Sequence, residues 1–155
     1  MLTWVERKTG WFIVTLVLII LGMVVWSLVN RWQHTTTVNV GRALISAAIA
    51  STDETRAKGL GGRQKLGTNE GMLLVYGRDD RWGIWMKDMK LAIDIIWINK
   101  DKRVVHITKN VYPDTYPEVF QPDTKARYVL EVPAGTVDRE KININQTARF
   151  ELPKR

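Results

Sequence analysis

The sequence predicts a mainly β fold, a small barrel-like or strongly twisted antiparallel sheet with one short helix, preceded by a single N-terminal transmembrane helix. Three observations predict it. Residues 11–29, WFIVTLVLIILGMVVWSLV, carry no charge, and at roughly 1.5 Å per helical residue they reach across about 28 Å of hydrocarbon. From residue 71 onward, short β-branched and aromatic segments alternate with turn residues, as in strands sharing one core. Between these regions lies a single capped helical signal, from Ser51 to Gly59. A chain of 155 residues without cysteine holds one ordinary domain and an appendage. Disulfide scaffolds, cysteine zinc sites, iron–sulfur clusters and thiol catalysis are excluded.

The apolar run is fenced by tryptophan on both sides, Trp4 and Trp11 before it and Trp26 and Trp32 after it, the placement that an amphipathic indole takes among lipid headgroups. A cleaved signal peptide would share the N-terminal position and the basic pair Arg7-Lys8. The following SLVNRWQHTTT lacks a small-residue cleavage pattern, which favours an uncleaved signal-anchor. The expected organisation is a short cytoplasmic N-terminus over 1–10, the span over 11–29, a polar linker over 30–41, and an extracytoplasmic domain over 42–155 at the cell membrane.

Within that domain, RALISAAIAS reads as the first strand. A short helix follows, with Ser51 as its cap, Glu54 as the capping-box partner and Gly59 as its exit. Strand signals then occupy 71–76, 84–86, 92–98, 103–107, 126–132 and 147–152. Gly77-Arg78-Asp79-Asp80, Asn99-Lys100-Asp101-Lys102 and Pro133-Ala134-Gly135 read as reversals between them. Pro113, Pro117 and Pro122 interrupt ladder bonding, so 109–125 reads as a surface excursion. Six short strands and one helix favour a barrel or a twisted sheet because either protects sheet edges.

The chemistry-bearing residues are those that break local pattern. In IDIIWI, alternation sets Ile93, Ile95 and Trp97 on one face and Asp94, Ile96 and Ile98 on the other. A carboxylate there requires a cation or backbone amides beside it. It serves either as a structural tie or as a group at a pocket rim. Arg56 and Arg63 flank a glycine-rich helix exit, and their forked guanidiniums suit carboxylate or phosphate oxygens; pairing with Asp94 or Glu70 satisfies them equally. Lys87 follows Trp85-Met86, placing charge beside an aromatic face, as in ring-binding pockets and in ordinary cores. In ARYVLEV, Arg127 and Glu131 share a face with Val129, and solvated charge is the default reading of that face.

These same segments carry a resemblance. RAKGLGGRQKL (56–66), EGMLLVY (70–76), IWMKDM (84–89), IDIIWI (93–98), VVHI (104–107) and ARYVLEVPAG (126–135) resemble, in this order and spacing, domain of unknown function (DUF) family 192. The resemblance covers about 42–152. It implies a compact β-rich domain, often secreted or anchored by an N-terminal apolar segment, and carries over no enzymatic activity. The polar residues at matching positions, Arg56, Arg63, Glu70, Lys87, Asp94 and Arg127, together with Trp85, form the candidate site. The family pattern has Asn-Thr after the Trp-Met-Lys and a proline before the apolar-Asp pair; this chain has Asp88-Met89 and Ala92. Asp88 in place of an amide changes the local charge and any ligand contact that the amide makes.

The formal net charge of +7 is spread among acidic residues without an arginine-rich arm, which argues against nucleic acid as a partner. A domain held beside anionic headgroups or wall polymers gains from the same charge. No cofactor and no metal are expected, since the two histidines, His34 and His106, are far apart and no loop has a dense set of acids. The leading functional reading is a membrane-anchored domain that binds a small anionic or carbohydrate-like ligand. The alternatives are a hydrolase using Glu70 and Asp94 as an acid/base pair, and an accessory subunit of a membrane assembly. Lipid, through residues 11–29, is the one partner the sequence names directly; a protein partner is left open.

Overall fold

In the computed structural model, the described residues are 11, 14–23 and 35–153, and the chain divides into two units, 1–33 and 34–155. In the first unit, Trp11 and residues 14–23 are helical and exposed. Among the described residues no helix is long and apolar enough to cross a membrane. The remainder of the expected 11–29 span, the 1–10 segment and the linker as far as residue 34 lie outside the described residues.

The second unit is a six-stranded sheet of order β1-β2-β3-β8-β5-β6, with β4 and β7 forming a separate two-stranded pair. Its strands are β1 (Thr35–Val40), β2 (Ala43–Ala50), β3 (Glu70–Asp80), β4 (Ile84–Trp85), β5 (Ile93–Ile98), β6 (Val104–Val111), β7 (Val119–Phe120) and β8 (Ala126–Pro133). Two short helices accompany them, α1 (Asp53–Lys58) between β2 and β3 and α2 (Thr136–Arg139) after β8, and a 3-10 turn spans Pro113–Thr115. The mainly β class and the short helix α1 after the strand at 43–50 are as expected. The barrel is not: the sheet is open, because β1 and β6 share no ladder. Nor is the sheet wholly antiparallel, since β2 and β3 run parallel. A parallel pair needs a crossover, and residues 51–69, including α1, provide it.

Every residue of β5 is buried, and β8 beside it is buried from Val129 to Val132, so the sheet centre is covered on both faces. Alternation divides these side chains between two cores. On one face Ile45, Leu73, Ile96, Ile98, Leu130 and Val132 pack with Val137, Ile142, Ala148 and Phe150 from α2 and the C-terminal segment. On the other, Met72, Leu74, Ile95, Trp97 and Val129 pack with Leu60, Ile84, Met86 and Met89 from the α1 exit and the β4 region. This second face carries the site.

Several local expectations are corrected. Residues 35–40, read as linker, form β1, because Val38 and Val40 alternate into the core. Thr52, not Ser51, caps α1: its hydroxyl accepts from the Thr55 amide while the Thr55 hydroxyl accepts from the Thr52 amide, leaving Glu54 out of the box. Gly77–Asp80 is not a reversal; β3 runs through it with a register irregularity between Val75 and Asp80. The last expected strand, 147–152, makes only isolated bridges, Arg103 to Thr147 and Asn39 to Arg149. The excursion over 109–125 includes the end of β6, the 3-10 turn, a cis Tyr116–Pro117 bond and β7.

Candidate functional site

A cavity of about 240 Å³ opens on the second face, lined by the end of α1 and its exit, by Tyr76 of β3, by residues 82–85, and by Lys87, Met89 and Glu131. Its chemistry begins at Glu131. In β8 this residue stands opposite Met72 of β3 and Ile95 of β5, so its carboxyl is held in the middle of the sheet, 4% exposed. Solvated charge, the reading of that face in the sequence, is overturned here. A central strand has neighbours on both edges and cores on both faces, so the side chain meets solvent only where the cavity reaches it.

The carboxyl has almost no compensation. Its Oε2 atom is buried without a hydrogen-bond partner among the described residues. Burial pushes the acid up to about 7, opposed only in part by the Leu60 backbone amide. Gly59, at the exit of α1 with φ +50, closes over it: a Cβ there would stand 3.3 and 3.5 Å from the two carboxyl oxygens. Glycine tolerates that left-handed backbone and that approach together.

Above Glu131, Tyr76 and Trp82 stack with centroids 4.0 Å apart and planes 9° from parallel. Arg56 lies over the Tyr76 ring at 5.0 Å, a cation–π arrangement. Its guanidinium donates to the Ser51 and Val75 carbonyls and pairs with Asp53, so α1 is tied to the residue after β2 and to the middle of β3. Burial first, then the Glu131 charge, push the Tyr76 phenol up to about 12, with Arg56 opposing. Tyr76 is therefore a neutral hydroxyl at physiological pH. Trp82 is fixed from below, its carbonyl accepting from Trp97 Nε1 at 2.8 Å.

Of the seven residues proposed from sequence, the structure brings Arg56, Trp85 and Lys87 to this cavity. The other four are elsewhere. Asp94 is fully buried on the opposite face, where its two oxygens accept from the Asn110 and Val137 backbone amides, each at 2.8 Å; of the cation or amides expected beside it, the structure supplies amides, and no arginine pairs with it among the described residues. Glu70 is exposed and accepts from the Gly67 amide at 2.9 Å. Arg127 pairs with Asp79 at 2.6 Å, and Arg63 does not line the cavity. Alternation places Glu70 on the face of Met72 and Leu74, and Asp94 on the face of Ile96 and Ile98. An acid/base pair of these two is removed, because a sheet separates them.

Glu131, Tyr76 and Trp82 were not singled out in the sequence. Glu131 carried the same signal as Asp94, a lone acid among apolar neighbours on both faces of a strand. Asp88 does not line the cavity; its φ of +57 is left-handed backbone, which Asn and Asp both tolerate, so either residue fits at this position.

No curated protein matches the chain. Among solved structures, it is similar to a proposed transcription regulator from Sinorhizobium meliloti 1021, with 24% identity and a TM-score of 0.72 over 76% of this chain and 95% of that one. It is also similar to a protein of unknown function from Novosphingobium aromaticivorans DSM 12444, with 27% identity and a TM-score of 0.69 over 74% of this chain and 83% of that one. The first likeness, at its identity, shows the fold alone. The model of DUF192, described as Uncharacterized ACR, matches residues 35–150, which is the whole sheet with both its cores and the cavity, and the chain belongs to that family.

Proposed function

We propose that the chain is a membrane-tethered, extracytoplasmic binding domain whose cavity receives a small carbohydrate-like ligand. The observation that carries this reading is the unpartnered Glu131 Oε2 at the cavity wall. A buried polar atom without a partner costs about 1–3 kcal/mol, and a ligand hydroxyl would recover it. Aromatic surface stands beside it in the Tyr76–Trp82 stack and in Trp85, which is 46% exposed. Flat rings next to a carboxyl suit the apolar face and hydroxyl edge of a sugar ring. At about 240 Å³, the space falls below the roughly 300 Å³ at which drug-sized pockets begin, so a single ring is the appropriate scale. The tether is supported by the uncharged run and its flanking tryptophans.

Thermal unfolding of the full chain in mild detergent, with and without millimolar monosaccharides, tests the binding half. An upward shift that Glu131→Gln reduces supports it, and no shift with any sugar rejects it. Alkaline carbonate washing of vesicles tests the other half: retention of the intact chain supports the tether, and release removes it.

A further inference from the structure

The charge along the cavity wall narrows the ligand further. Asp53 and Arg56 both line the cavity and pair with each other, so their charges largely cancel. Burial raises Glu131 to about 7, so near neutral pH it carries only part of a negative charge in the cavity. Lys58 and Lys87 also line it, both exposed, and neither makes an ion pair among the described residues. They come from separate segments that the backbone brings together. Past the α1 exit the Gly61 amide donates to the Lys58 carbonyl at 2.8 Å, and the Gly62 amide donates to the Asp88 carbonyl, next to Lys87, at 2.9 Å. The wall thus has a buried carboxyl oxygen without a partner and two exposed cations that can meet an anion.

Resting on the reading above, we infer that the ligand of this site is a sugar acid, its hydroxyls meeting Glu131 and its carboxylate meeting Lys58 and Lys87. A neutral sugar would satisfy the first group and leave the second to water. A simple inorganic anion would satisfy the lysines and leave Oε2 of Glu131 unpartnered. A molecule carrying both functions on one ring satisfies both ends of a space this size.

Calorimetric titration of the full chain in detergent with D-glucuronate and with D-glucose decides the matter. The inference expects glucuronate to bind at least tenfold more tightly, with the preference weakening as salt rises. It also expects Lys58→Gln/Lys87→Gln to bring the ratio of the two affinities close to one. Both lysines are exposed, so an unchanged thermal midpoint will show that the double variant is folded. Equal affinities in the wild type would overturn the inference and leave the carbohydrate reading standing. A preference that survives in the double variant would overturn the lysine assignment. Binding of neither sugar would remove the carbohydrate reading itself, and the inference with it.

Discussion

At the scale of single residues, two buried carboxylates in adjacent central strands have been treated in opposite ways. Asp94 gives each oxygen a backbone amide, from Asn110 and Val137, and so ties β5 to β6 and to the start of α2. Asp94→Asn replaces one acceptor with an NH2 group facing an N–H donor. A loss of about 3 kcal/mol in the urea-unfolding free energy is expected, and a loss below about 1 would show that the two bonds matter little. Glu131 has an oxygen with no partner, and its acid is raised from 4.5 to about 7. A carboxyl raised in the folded state binds its proton more tightly there than in the unfolded chain. Its contribution is therefore fully present below about pH 4.5 and lost as pH rises through about 7. The cost across that window is on the order of 3 kcal/mol. Glu131→Gln carries no such proton, so unfolding midpoints of the two proteins plotted against pH should diverge between these limits, the wild type falling relative to the variant. Parallel curves would show that Glu131 is not strained by its burial.

Strands and their packing determine whether these residues reach the cavity at all. The backbone of β3 passes so close to β8 that a Cβ on Gly71 would lie 2.6 Å from the Glu131 carbonyl oxygen. That neighbour is backbone and cannot swing away. Gly71→Ala therefore pushes the two strands apart at the level of Glu131, with an expected cost of about 3 kcal/mol and weakened sugar binding at temperatures where the variant is still folded. Wild-type stability in that variant would mean that the strands yield easily. Much of this level could be read from residue order. The two faces of IDIIWI follow from alternation, and both are occupied as expected. The need of Asp94 for a compensating partner is legible because nothing else in the strand can supply one; that the partner is a pair of amides and not a cation is not. The burial of Glu131 is not legible in the same way, because ARYVLEV, taken alone, fits a half-exposed strand; only its place between β3 and β5 makes both faces internal. Gly77–Asp80 has the composition of a turn, yet pairing with β8 carries β3 through it with an irregular register. Strand order is a long-range property, and no local pattern encodes it.

For the sheet domain as a whole, the unsolved problem of an open sheet is its two edges, since unpaired amides and carbonyls invite association. The C-terminal segment answers for both. At β6 the Val104 amide donates to the Gln146 carbonyl at 2.9 Å and the Asn145 amide donates to the Val104 carbonyl at 2.8 Å; at β1, Asn39 and Arg149 exchange both bonds at 2.8 Å. One strap thus reaches both edges of a sheet that never closes on itself, which is why edge protection, the argument for a barrel, holds without one. Phe150 fastens the strap: it is 5% exposed, meets Tyr128 edge-on at 5.0 Å, and lies 4.7 Å beneath Lys102 Nζ. Phe150→Ala removes that anchor, with an expected loss of about 3–4 kcal/mol. The loss should be uneven. Hydrogen exchange at the Asn39 amide, whose acceptor lies in the strap, should accelerate well beyond that of the buried amides of β5, which open only with the domain. Equal acceleration at both positions would mean that the strap and the sheet unfold as one unit. An Asn39 amide as protected as in the wild type would show that the β1 edge is held by something other than this segment.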